Sequence, residues 1–150
     1  MILGHLHRAG AEWVQVDEPI LVTDLDERQR KALTRAYARL ARSGPQLMLA
    51  TYFGGLEDNL SLAVALPVAG LHVDLVRAPG QLDAVLAAAP RTMLLSLGVV
   101  DGRNVWRTDL DALLARLEPV AASRDLVLAP SCSLLHVPWI SRWNPGSTTK

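Results

Sequence analysis

GLHVDLV (Gly70–Val76) and TMLLSLGVV (Thr92–Val100) are two short apolar runs separated by a helix-period segment, and that pairing decides the fold. Each is apolar on both faces of an extended strand, which suits a strand buried from both sides. Between them, Gln81 to Ala89 places Leu82, Val85 and Leu86 on one helical face. A strand, a covering helix and a second strand form a parallel βαβ unit. Working outward, the same alternation recurs. EWVQVD (Glu12–Asp17) reads as a strand stopped by Pro19, and LMLATY (Leu47–Tyr52) as a strand closed by Phe53-Gly54-Gly55. LVLA (Leu126–Ala129) is a fifth strand, running into Pro130-Ser131-Cys132.

The intervening helices carry their own signals. Asp24-Leu-Asp-Glu27 looks like a capping box, followed by a stripe of Leu33, Ala36, Tyr37 and Leu40 that ends at Ser43-Gly44-Pro45. Leu56, Leu60, Ala63 and Val64 mark a short helix before Pro67. Thr108-Asp-Leu-Asp111 caps a helix whose inward stripe is Leu110, Leu113, Leu114 and Leu117. Met1 to Gly10 looks like the end of a helix. The order β-α-β-α-β-α-β-α-β demands a parallel sheet covered by helices. Two architectures compete: an open doubly wound sheet with a ligand site where the strand order reverses, or a partial (β/α)₈ barrel with about five strands.

Composition narrows the function. The chain has 150 residues, 15 Lys+Arg against 15 Asp+Glu, and formal net charge +0. That balance removes the electrostatic case for a nucleic-acid or anionic-membrane partner. The run from Leu60 to Leu71 is broken by Pro67 and Gly70 and is too short to span a bilayer. One cysteine, Cys132, excludes an internal disulfide framework, and a soluble cytoplasmic setting fits. Length indicates one domain, residues 1–139, with a divergent polar tail at 140–150.

Polar residues cluster at C-terminal strand ends, where both architectures place their chemistry. Asp17 and Glu18 leave the first strand, and one of them could bind an ammonium group or act as a base. Tyr52 ends the second strand. His72 and Asp74 share one face of the third, suiting a hydrogen-bonded histidine better than a metal ligand. Asp101, Arg103 and Asn104 follow the fourth, and Ser131, Cys132 and Ser133 the fifth. Cys132 has no activating basic neighbour in sequence, so a packed, inert thiol is expected. Gly54-Gly55 read as turn glycines, and Trp13, Trp106, Trp139 and Trp143 as packing residues.

Several phrases occur together in order: Val16-Asp-Glu-Pro19, Ala50-Thr-Tyr-Phe-Gly54, Leu71-His-Val-Asp74, Leu97-Gly-Val-Val-Asp-Gly-Arg-Asn-Val-Trp106, and Ser131-Cys-Ser-Leu-Leu-His-Val-Pro138. The set resembles the amino-terminal domain of the cobalamin-independent methionine synthases, the 5-methyltetrahydropteroyltriglutamate–homocysteine S-methyltransferases. The resemblance covers about residues 1–139 and implies a partial first barrel of a two-barrel enzyme. It implies zinc in the second barrel, a folate donor between the barrels, and homocysteine as acceptor. Against the zinc-bearing duplicate, the ligand positions fall on Thr51, Phe53, Asp74 and Cys132. Only Asp74 and Cys132 keep ligand chemistry, as vestigial matches, so the chain itself is expected to hold no cofactor and to have no catalytic residue.

On this reading the cleft candidates are Asp17, Glu18, Tyr52, His72, Asp74, Asp101, Arg103 and Asn104. The chain would serve as scaffold and folate-cleft wall, inactive alone. Its partner would be the remainder of the enzyme or a complementary barrel fragment. Open sheet edges and an apolar inner face would favour self-association. The departure from the family pattern after Trp139 suggests truncation or a shifted reading frame. The alternatives are a free-standing module binding a pterin or anion, the product of a broken gene, and an α/β hydrolytic domain using Cys132 and His136.

Overall fold

The computed structural model describes residues 2–137. Five strands, β1 (Trp13–Asp17), β2 (Gln46–Ala50), β3 (Gly70–Asp74), β4 (Leu94–Val100) and β5 (Leu126–Pro130), form a single all-parallel sheet in the order β1-β2-β3-β4-β5. Helix α1 (Ile2–Arg8) precedes the sheet. Helices α2 (Glu27–Leu40), α3 (Leu60–Ala65), α4 (Leu82–Ala88) and α5 (Leu110–Ala121) occupy the four crossovers. This order decides between the two architectures. A doubly wound sheet reverses its strand order, and this one never does. Right-handed crossovers without a reversal stack every helix on one face, as in a sector of a (β/α) barrel.

Side-chain alternation follows. Leu49, Leu71, Val73, Leu95 and Leu97 join Tyr37, Ala63, Leu82, Val85 and Leu117 in one buried cluster between sheet and helices. In register, Leu71 sits beside Leu49 and Leu95, and Val73 beside Leu97. The central strand β3 is buried at every position, and burying a side chain such as Leu71 contributes about 1.5–3 kcal/mol. The opposite face is not the apolar surface expected of an open sheet. Gln15, Asp17, His72 and Ser96 alternate onto it, beside Trp13, Met48 and Val127. The inner face is therefore mixed, while the helix side takes the leucines and valines of the buried cluster.

Three local readings shift. The capping box of α2 lies two residues later than expected: Asp26 Oδ1 accepts from Gln29 N–H at 2.7 Å, and Gln29 Oε1 accepts from Asp26 N–H at 2.8 Å. Asp24 is too far from the first helical residue, Glu27, to serve. In α5 the cap is Asp109, accepting from Ala112 N–H. Its stripe is only half used: Leu117 is buried, but Leu110 and Leu114 are exposed, since no described element covers that side. The expected tail at 140–150, Trp139 and Trp143 lie outside the described residues.

Candidate functional site

Successive residues of a strand point to opposite faces, and this splits the Asp17-Glu18 pair. Glu18 turns to the helix side, where its Oε2 accepts from the Tyr37 hydroxyl at 3.3 Å. Burial, then the Glu18 charge, pushes that phenol above its ordinary range. Asp17 stays on the inner face, where its Oδ1 accepts from Gln15 Nε2 at 2.7 Å and from the Tyr52 hydroxyl at 3.0 Å. Gln15 Nε2 also donates to Tyr52 Oη at 2.6 Å, closing a three-residue network. Burial, followed by the Asp17 hydrogen bond and charge, raises the Tyr52 pKa, so its hydroxyl stays a donor.

His72 occupies the centre of this face. Its Nδ1 lies 2.9 Å from Ser96 Oγ, its ring meets Tyr52 edge-on at 5.5 Å, and the residue is 5% exposed. Burial lowers its pKa. The nearby Ser131 backbone and the Asp74 and Asp17 carboxylates offset part of that shift. Nε2 has no hydrogen-bond partner among the described residues. After β5 the chain folds over the end of β4: Ser131 N–H donates to Val100 O at 2.7 Å, and Gly102 N–H to Ser131 Oγ at 3.2 Å. Gly98 permits this closure. A Cβ there would stand 2.8 Å from Ser131 Cα and 3.0 Å from His72 Nε2.

The result is a cleft of about 370 Å³ that brings Asp17, Tyr52 and His72 together with Gln15, Ser96 and Cys132. Gln15 and Ser96 were not among the residues expected. The available signal was a lone polar residue inside an apolar strand, in one case two positions from Asp17.

The remaining candidates do not line this cleft. Asp74 is 1% exposed and fully engaged: Oδ2 accepts from Phe53 N–H at 3.0 Å, and Oδ1 from Val76 and Arg77 N–H at 3.0 and 2.9 Å. It ties the loop after β2 to the turn after β3. Asp101 Oδ1 accepts from Arg103 N–H at 2.9 Å. Arg103 stacks its guanidinium 5.3 Å over the Phe53 ring, and Asn104 is exposed. The four positions matched to zinc ligands do not fit a metal. Thr51 donates its hydroxyl to His72 O at 2.8 Å, Phe53 has no donor atom, and Asp74 is saturated by backbone amides. Cys132 is buried, with its Sγ close over Gly102. No cluster of three or more His, Cys, Asp or Glu side chains is placed to hold a metal ion among the described residues. The His136 side chain, invoked with Cys132 in the hydrolytic alternative, lies outside them.

A sequential parallel sheet, helices on one face and a polar cleft at the C-terminal strand ends define an α/β domain of the (β/α)-barrel type. Residues 1–125 match the family described as "Cobalamin-independent synthase, N-terminal domain", and the chain belongs to that family. It is 66% identical over 140 residues to a 5-methyltetrahydropteroyltriglutamate–homocysteine methyltransferase of Chelativorans sp. (strain BNC1). Identity is 62% over 142 residues to that of Rhodopseudomonas palustris (strain TIE-1), and 59% over 142 residues to that of Caulobacter vibrioides. Each match covers 91% of this chain, which spans only 18% of the length of these relatives. No helix among the described residues is long and apolar enough to cross a membrane.

Proposed function

We propose that this chain is a sector of the amino-terminal barrel of a 5-methyltetrahydropteroyltriglutamate–homocysteine methyltransferase, serving as scaffold and as one wall of the folate cleft. The observation that carries this is the sequential parallel sheet, covered on one face, in a chain 66% identical to such a protein over 18% of its length. The strand-end residues Asp17, Tyr52 and His72 form the floor of the wall. Asp101, Arg103 and Asn104 form a rim, with Arg103 supplying positive charge to an anionic donor. Glu18 and Asp74 hold the frame, by anchoring Tyr37 and the β2 and β3 loops.

The chemistry served is methyl transfer from a folate amine to the homocysteine thiol, which needs an activated thiolate and an enclosed, oriented donor. In this reading zinc supplies the activation from another part of the longer chain. The partner is then the rest of the barrel, and the setting is the cytoplasm, where a lone thiol such as Cys132 stays reduced. Purified chain incubated with methyl-folate, homocysteine and zinc is expected to yield no methionine, and turnover would overturn the proposal. Adding the Chelativorans relative without its matched 140 residues is expected to give a complex that binds methyl-folate. Equal folate binding by the chain alone would favour a free-standing pterin module instead.

A further inference from the structure

Charge is spread very unevenly along this chain. Six of its 15 Lys and Arg residues lie between Arg28 and Arg42, a stretch without a single Asp or Glu. The rest of the chain therefore holds 15 acidic residues against nine basic ones. Helix α2 sorts these cations by face. Leu33, Tyr37 and Leu40 pack against or within the buried cluster. Arg28, Lys31, Arg35 and Arg39 follow one another at steps of three, four and four, so they share the opposite face, and each is exposed. Arg42 extends the row from the 3-10 turn Ala41–Ser43. Lys31 pairs with Glu27 at 3.3 Å, both largely exposed, and Arg30 on the flank donates to Asp58 O at 3.4 Å. The side chains of Arg28, Arg35, Arg39 and Arg42 make no hydrogen bond or ion pair among the described residues. The row also works against its own helix. Like charges one turn apart repel, and Arg28 and Lys31 sit near the positive end of the helix dipole. A partner of opposite charge would remove that cost.

We infer that the outer face of α2 docks an acidic helical segment of a separate protein, with carboxylates repeating every three or four residues over about 21 Å, the length of this 14-residue helix. Four of the five cations in the row are arginines, whose planar forks take both oxygens of a carboxylate at once. Other polyanions fit less well. A single-stranded nucleic acid finds no aromatic ring in the row on which to stack. A duplex outruns the helix and meets the net-acidic remainder of the chain. A membrane finds no apolar face to bury, since that of α2 is already in the core. The face points away from the sheet, so neither the strand-end cleft nor the neighbouring helices of a barrel ring cover it. This surface is separate from the folate wall and does not depend on it.

A fluorescently labelled alanine-based peptide of about four helical turns, with Glu at every third or fourth position, tests the surface by anisotropy against the full chain in low salt. Saturable binding that weakens as salt is raised is expected. A peptide of the same composition, with its Glu residues scattered round the helix, should bind more weakly. In the double variant Arg35→Glu, Arg39→Glu the affinity should fall at least about tenfold, while Arg107→Glu, exposed and outside α2, should leave it unchanged. Equal binding of the two peptides, no saturation, tighter binding of a DNA duplex or of phosphatidylserine vesicles than of the peptide, or full affinity in a folded double variant would each overturn the proposal. The comparison of the two peptides on the unaltered chain stands even if the double variant fails to fold.

Discussion

Asp74 shows how a carboxylate at a strand end can be structural rather than chemical. It accepts three backbone N–H groups and is almost wholly buried. In Asp74→Asn one oxygen becomes a donor facing donors, which should cost about 2–4 kcal/mol of stability, read from urea unfolding. A loss under about 0.5 kcal/mol would deny it that role. The strand-end position was legible in the sequence. Its use was not, because the Phe53 amide comes from a loop 21 residues away. His72 makes a pH prediction. Its folded pKa is depressed below the ordinary 6.5, chiefly by burial, so the unfolded chain takes up the proton first. Its stabilising effect is therefore full above about pH 6.5 and is lost as the pH falls from there through the folded pKa. Replacing His72 by Gln should flatten urea midpoints just below pH 6.5. An unchanged slope would show that His72 is not the titrating group.

Among the elements, α5 separates what periodicity predicts from what packing uses. Its leucines recur at helical spacing, yet Leu117 is 4% exposed and Leu114 is 51% exposed. Spacing identifies a face but not whether a neighbour lies against it. Leu117→Ala should therefore destabilise by about 2–4 kcal/mol, and Leu114→Ala by less than about 1 kcal/mol. Similar losses for both would mean that the outer half of the stripe is covered in solution. The α2 cap teaches a related point. Two aspartates precede the helix, each with a Glu or Gln three residues on, and the one that caps is the one adjacent to the first helical residue, Glu27.

For the whole molecule, the strands were legible because a parallel sheet needs side chains that are apolar wherever helices cover them, and the helix-facing positions of β3 and β4 (Leu71, Val73, Leu95, Leu97) are all apolar. The strand order was not legible from the residues alone, since both competing architectures place polar groups at strand ends. The mixed inner face was missed for a different reason. Single polar residues such as Gln15 and Ser96 vanish within an apolar run until register aligns Ser96 with His72. The sequential order has a consequence for association. Among the described residues β1 and β5 each pair on one side only, leaving a row of backbone donors and acceptors open on each edge. On β5, Val127 is 41% and Leu128 is 54% exposed, and Leu110 and Leu114 of α5 are exposed as well. The chain alone should therefore self-associate, with a sedimentation coefficient that rises with concentration. Leu128→Lys places a charge on that edge without touching the buried cluster, so it should shift the population toward monomer while leaving the urea midpoint nearly unchanged. A wild-type monomer at all concentrations, or a lysine variant that associates as strongly, would show that the β5 edge is not the contact.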